Sequence, residues 1–275
     1  MQADRLDDPA LDVPELPIRD EEERLNPDFI LAVEAAIERE DRNDLVALVG
    51  DLHEADSGDL LEALNDDERS SYVRLLGEEF DYTALTETDE AIRVKLLEDL
   101  PNEEIAEGLG ELDSDDAVYI LEDLDEEDQA AILEELPYAD RAQLRKSLDY
   151  PEESAGRRMQ TEFIAVAPFW TVGQTIDYMR EARDLPDSFY EIYVVDPAFK
   201  LLGSVHLDKI LRTKRDEKVT SIMEETRQAV LATEDQEEVA RRFERYNLVS
   251  SAVVDENDRL VGVLTVDDIV DVIQE

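Results

Sequence analysis

Val194-Val195-Asp196 followed by Leu201-Leu202-Gly203-Ser204-Val205 recurs, 59 residues later, as Val253-Val254-Asp255 followed by Leu260-Val261-Gly262-Val263-Leu264. In each copy a β-branched run ends at an aspartate turn, a second run follows, and a helical stretch closes the unit (Asp208 to Leu211; Asp267 to Ile273). Runs of this kind predict strands over Glu191 to Asp196, Leu201 to Val205, Ser251 to Asp255 and Leu260 to Thr265. Upstream of each copy lies an amphipathic stretch, Val172 to Arg183 and Gln236 to Tyr246. The repeat predicts two small α/β modules in tandem. Each is too small to bury a strong core alone, so they are expected to pack on one another.

Working outward toward the N-terminus, the period changes. Ending each unit at a leucine divides the chain into Pro101–Leu112, Asp113–Leu124, Asp125–Leu136 and Pro137–Leu148, four units of twelve residues. Leu109/Leu112, Leu121/Leu124 and Leu133/Leu136 form the same i, i+3 pair on one helical face. Leu97/Leu100, Val73/Leu76, Leu61/Leu64 and Val49/Leu52 keep the register, which degrades at Leu85. Twelve residues make about two helical turns and a loop, and Pro101-Asn102, Asp113-Ser114-Asp115 and Pro137-Tyr138 supply starting residues. Residues 26–150 are therefore expected to form a superhelix of short stacked helices, with Leu112, Leu124 and Leu136 buried. Residues 1–25, with Pro9, Pro14 and Pro17 among acids, read as a disordered extension that docks weakly or not at all.

Charge is the extreme feature of the 275 residues: the net is −47, of which residues 1–150 carry −36 and residues 151–275 carry −11. Such a surface repels nucleic acid and anionic lipid and attracts cations. The chain has no cysteine, which excludes disulfides and thiolate chemistry, and His53 and His206 are too few for a histidine metal cage. The start Met1-Gln2-Ala3-Asp4 lacks the character of a signal peptide. No stretch reaches the roughly 20 apolar residues that span a bilayer; Phe163 to Val172 is about half that and contains Pro168. A soluble, cytoplasmic protein is expected. No phosphate-binding loop or nucleophile motif supports an enzyme, and paired carboxylates are too frequent here to argue for one.

The tandem resembles a pair of cystathionine-β-synthase (CBS) modules, and Gly262-Val263-Leu264-Thr265-Val266-Asp267-Asp268 fits that family's Gly-x-x-Thr-x-x-Asp pattern. A resemblance covering nearly the whole chain joins the acidic short-helix repeat, Tyr150-Pro151-Glu152-Glu153-Ser154-Ala155-Gly156-Arg157-Arg158-Met159, and a CBS pair containing Asp235-Gln236-Glu237-Glu238-Val239-Ala240. It is to the cytosolic part of MgtE magnesium channels. The implied fold is α plus α/β: a superhelical domain (26–150), a linker (151–157), a first CBS module (158–217) and a second (218–275). The implied function is Mg2+ sensing that gates a membrane-spanning pore domain, which in the family follows a connecting helix beginning about where this chain ends.

The resemblance implies regulatory Mg2+ ligands at Asp115, with Asp116 beside it as the alternative, and at Asp235, Glu237, Asp268 and Asp271. Asn247 stands where a family aspartate is expected and Thr83 near another acidic position, which weakens at least one family site. Dispersed carboxylates suffice because Mg2+ keeps several of its waters. The resemblance also implies a homodimer through residues 158–275, and closure of the helical domain on the CBS pair when Mg2+ binds. Two other functions fit the same residues. CBS pairs commonly bind adenine nucleotides such as ATP, which would use Thr265 and Asp268; in the first module His206 and Lys209 replace the corresponding pair. Thr265 followed by Asp268 also reads as a helix start. The helical repeat further resembles the interaction domains of flagellar-motor scaffolds.

Overall fold

The computed structural model describes residues 16–182, 185–186, 188–225 and 229–274. The described chain divides into two compact units after Leu100, inside the helical repeat and not at Tyr150.

The first unit holds α1 (Pro27–Glu38), α2 (Arg42–Val49), α3 (Glu54–Ala63), α4 (Asp66–Leu76), two 3-10 turns (Gly77–Glu79 and Tyr82–Leu85) and α5 (Glu90–Glu98). The second opens with α6 (Asn102–Leu109), α7 (Ser114–Glu122), α8 (Glu126–Glu135) and α9 (Tyr138–Leu148). From α2 onward the helices begin at residues 42, 54, 66, 90, 102, 114, 126 and 138, every one a multiple of twelve from the first. The missing start, near 78, falls on the 3-10 turns, where the leucine register also degrades.

Each helix is opened by a residue suited to the task. Asp41, His53, Asn65, Asp89 and Asp125 accept a backbone N–H of the first turn, and Pro101 and Pro137 fix the entry angle. Leu109, Leu121, Leu124, Leu133 and Leu136 are buried as the register requires, while Leu112 is only half-buried, at the turn into α7.

Part of the N-terminal extension departs from expectation. Residues 1–15 lie outside the described residues, but residues 16–25 are held to the first unit. Arg19 places its guanidinium between Asp56 and Asp59 at 2.5 and 2.7 Å, and the Asn26 amide donates to Pro17 O at 2.9 Å. A forked cation set among carboxylates overrides a composition that reads as disorder.

The rest of the second unit is the repeat seen in the sequence. β1 (Ala165–Val166) pairs parallel with β2 (Glu191–Val195), which pairs antiparallel with β3 (Leu201–His206). β4 (Val230–Leu231), β5 (Ser250–Val254) and β6 (Leu260–Thr265) copy that arrangement, including a register shift at the equivalent place. β1 and β4 are two residues long, too short to show any alternation in sequence.

The helices of the second unit beyond α9 are α10 (Ala155–Arg158), α11 (Val172–Glu181), α12 (Leu207–Arg212), α13 (Gln236–Tyr246) and α14 (Val266–Gln274). The aspartate turns match atom for atom: Asp196 Oδ1 accepts from Ala198 and Lys200, and Asp255 Oδ1 from Asn257 and Arg259. The two turns then bond each other, Leu201 N–H to Asp258 O and Leu260 N–H to Phe199 O, both at 3.0 Å. Tyr193, Val195, Ala252, Leu260 and Val263 form the shared core between the sheets.

The segment read as a linker, 151–157, is built into the second module. Ala155 and Met159 belong to that module's core, and Gly156 donates to Ala232 O at 2.7 Å. A Cβ at Gly156 would come within 2.6 Å of the Tyr150 ring, so only glycine allows this approach.

Candidate metal centre

Asp115 lies in the first turn of α7 and Asp268 in the first turn of α14. The fold brings these two side chains into hydrogen-bonding contact. Each sits where the positive end of a helix dipole favours negative charge, which partly offsets the cost of placing two acids together. Burial is the larger influence. It pushes the Asp115 carboxyl well up, helped by the charges of Asp268 and Asp116, and lifts Asp268 to about 7. As a residue Asp115 is half-buried, but its Oδ1 is sealed from solvent and has no hydrogen-bond partner. Asp268 Oδ2 accepts from the Thr265 N–H at 2.7 Å and the Thr265 hydroxyl at 2.9 Å. Thr265 and Asp268 thus form one half of a capping box at the start of α14.

This constellation is an all-oxygen one with an orphaned acceptor. Ionised, both carboxylates only accept, so the site wants either a shared proton or a hard cation. Mg2+ takes oxygen ligands, needs only one or two carboxylates and keeps its remaining waters. The residues present fit it. Among the described residues no group of three or more acids or histidines is gathered in metal-holding geometry, so an ion here would be held by these two carboxylates and its own waters.

The other predicted ligands are placed differently. Asp116 is half-buried beside Asp115 and adds charge to the pair. Asp235 is exposed, caps α13 through the Glu238 N–H, and lines a separate concavity of about 380 Å³ with Glu152, Glu153, Ser154 and Thr233. Glu237 is ion-paired with Arg241 at 2.6 Å on the exposed face of α13. The side chain of Asp271 lies outside the described residues.

The nucleotide expectation meets two clefts. Thr265 borders one of only about 10 Å³, and Asp268 is committed to Thr265 and Asp115. A far larger cleft, about 1030 Å³, opens between the two modules, with Tyr190 and His206 of the first facing Tyr246 and Asn247 of the second, and carries Glu191, Asp208, Glu224 and Glu225. Its volume suits a nucleotide; its charge does not suit a polyphosphate.

Two residues of the contact between α7 and the second module carry no signal in motif or period. Glu162 accepts from the Ser114 N–H at 3.1 Å and the Ser114 hydroxyl at 2.8 Å, and Arg158 donates to Glu122 Oε1 at 2.5 Å. The adjacent basic pair Arg157-Arg158, in so acidic a chain, is the one feature that could have pointed there.

Short capped helices running into two interlocked α/β modules define a class, a CBS-pair regulatory region with an attached helical domain. The comparisons agree. The family model for the MgtE intracellular N domain matches residues 52–153, and that for the CBS domain matches residues 219–275. The cytosolic domain of the Mg2+ channel MgtE, solved in complex with ATP, superposes with a TM-score of 0.81 at 30% identity, covering 88% of this chain and 99% of that one. The soluble part of a magnesium transporter superposes with a TM-score of 0.77 at 26% identity, covering 90% and 97%. The magnesium transporter MgtE of Bacillus subtilis is 34% identical over 123 residues, which is 45% of this chain and 27% of that protein. The chain belongs to the MgtE family, and spans only about a quarter of that curated relative's length in the match.

Proposed function

We propose that this chain is the Mg2+-sensing regulatory region of a magnesium transporter or channel. The meeting of Asp115 and Asp268, with one sealed and unpartnered oxygen, supports this reading most. Asp115 and Asp268 would hold the ion, with Asp116 adding negative potential; bound there, Mg2+ supplies the positive charge that the buried pair lacks. Two ionised carboxylates in contact, about 3–5 Å apart, repel by roughly 1–5 kcal/mol at effective dielectric constants between those of water and a protein surface. The pair therefore loosens the joint between α7 and α14 when ionised and bare, and tightens it when neutralised. Tightening is the closure that would be passed to a pore domain on the membrane side of the CBS pair.

The regulatory copies would pair through residues 158–275, for which the exposed stripe Val266, Val270 and Ile273 on α14 offers an apolar face. Among the described residues no helix is long and apolar enough to cross a membrane, so the proposal assigns transport to another part of the full protein.

The test is a thermal melt in 0.15 M KCl, where general screening is already present. Millimolar Mg2+ raises Tm in the parent, and Asp115→Asn with Asp268→Asn abolishes the rise. An equal rise in the double variant, or a rise reproduced by additional KCl, overturns the assignment.

A further inference from the structure

The cleft of about 1030 Å³ between the two modules has unlike walls. One is acidic: Glu191 of β2, Asp208 of α12, and Glu224, whose backbone pairs with Ser204 of β3 at 2.9 and 3.0 Å. The other runs from the end of α13 into β5 and presents Tyr246, Leu248 and Val249, with no charged side chain. Tyr190 and Tyr246 line the cleft with rings that are 44% and 50% exposed. Among the described residues no lysine or arginine lines it. Arg245, outside the lining, stacks over the Tyr246 ring at 5.6 Å, so that ring is a surface a cation already uses.

Glu191 is the informative acid. Its side chain is only 11% exposed, and its carboxylate accepts from the hydroxyls of Ser204, Ser250 and Tyr193 at 3.2, 3.4 and 3.5 Å. Hydroxyls orient a carboxylate but bring it no opposite charge. The His206 imidazole, 3.4 Å from Oε1, is itself exposed and is a cation only when protonated. Glu224, by contrast, has Lys209 at 2.9 Å. A carboxylate so far out of water is ordinarily matched by a cation, and among the described residues no lysine or arginine supplies one to Glu191.

We propose that this cleft is a binding site for an organic polycation of the aliphatic polyamine class, with Glu191 as the anchor for one ammonium group. An ammonium only donates, which suits a lining of carboxylates and hydroxyls. The acids come from separate elements, so several ammonium groups spaced along a chain meet them better than a single charge does. The methylene segments between those groups lie on Tyr246, Leu248 and Val249, and the tyrosine ring faces attract the charge. A hydrated metal ion would leave the apolar wall and most of the volume unused, and a polyphosphate is repelled by the acids. With a net charge of −47 the whole chain gathers cations loosely; the apolar wall and the buried acid separate this site from that atmosphere.

Spermidine titrated by calorimetry into the full chain, in metal-free buffer with 0.15 M KCl, tests this where general screening is already present. The parent shows one saturable site per chain. Glu191→Gln with Tyr246→Ala weakens that site at least tenfold. Glu103→Gln with Glu107→Gln, which removes more charge from the exposed face of α6, leaves it within twofold. Hexaamminecobalt(III), equal in charge to spermidine but without methylenes, binds the parent at least fivefold more weakly. A parent with no saturable site, a cleft variant that binds spermidine as the parent does, or a cobalt complex that binds as well as spermidine overturns the proposal. If the double variant does not fold, Tyr246→Ala alone carries the test: at least threefold weakening is expected, and unchanged affinity overturns it. The titration contains no divalent ion, so its result stands or falls separately from Mg2+ sensing at Asp115 and Asp268.

Discussion

Asp115→Asn should stabilise the metal-free protein at pH 8, although it alters a half-buried residue at the centre of the proposed site. Burial lifts the Asp268 carboxyl from an ordinary 3.8 to about 7 and pushes Asp115 well up beside it. Between about pH 4 and 7 the folded pair therefore binds more protons than the unfolded chain, and stability falls as pH rises through that window. By pH 8 the Asp268 share of that loss is nearly complete. A shift of that size sets a ceiling of about 4 kcal/mol, at roughly 1.4 kcal/mol per pH unit.

Asparagine removes one of the two charges and offers an N–H to Asp268, so about 1–3 kcal/mol should be regained at pH 8. At pH 5, where the parent pair holds its proton, the variant should gain nothing. Urea unfolding in EDTA at both pH values, followed through Trp170, the single tryptophan and a residue of the second unit, measures the difference. A variant less stable than the parent at pH 8 refutes the reasoning, as does a parent whose stability is flat from pH 5 to 8.

Three further outcomes follow from the same structure. Leu124→Ala, in the buried leucine register of α7 and its turn, should cost on the order of 2–5 kcal/mol in urea unfolding, and an unchanged midpoint would show the register to be misplaced. ATP should bind the large cleft no better than millimolar in calorimetry at 0.15 M KCl, because Glu191, Asp208, Glu224 and Glu225 oppose its phosphates; Glu224→Gln should tighten it, and micromolar binding by the parent would restore the nucleotide-sensing alternative. Sedimentation at high micromolar concentration with Mg2+ present should show a dimer, weakened by Val270→Glu on the exposed stripe of α14, and a monomer under those conditions counts against pairing through this face.

The helical period was legible because it is local. A turn residue, two turns of helix and a leucine pair repeat every twelve positions, and each cap satisfies its own backbone. The α/β modules were legible through self-similarity, down to the aspartate turns at Asp196 and Asp255. What could not be read lies in contacts between distant segments. Seventy-four acids give no hint of which two will be buried against each other, and Asp115 and Asp268 entered through family resemblance and not through spacing. Asp235 and Glu237 look equivalent in sequence, yet one caps a helix and the other is spent on Arg241. Composition misjudged residues 16–25, where the single Arg19 finds two carboxylates. It likewise hid the contact at the start of α7, where Glu162 caps a helix that begins 48 residues earlier.

The central claim is that Asp115 and Asp268 together give up bound protons for Mg2+, and proton release on binding tests it most directly. Ligands must be deprotonated to hold a metal, so binding to a protonated pair expels what it carries. Calorimetric Mg2+ titrations at pH 6, in two buffers of different ionisation enthalpy and 0.15 M KCl, count the protons released per ion. In the parent, each Mg2+ bound at the saturable site releases protons, and Asp115→Asn with Asp268→Asn shows neither that site nor the release. Binding with no proton release, or the same release in the double variant, would contradict it.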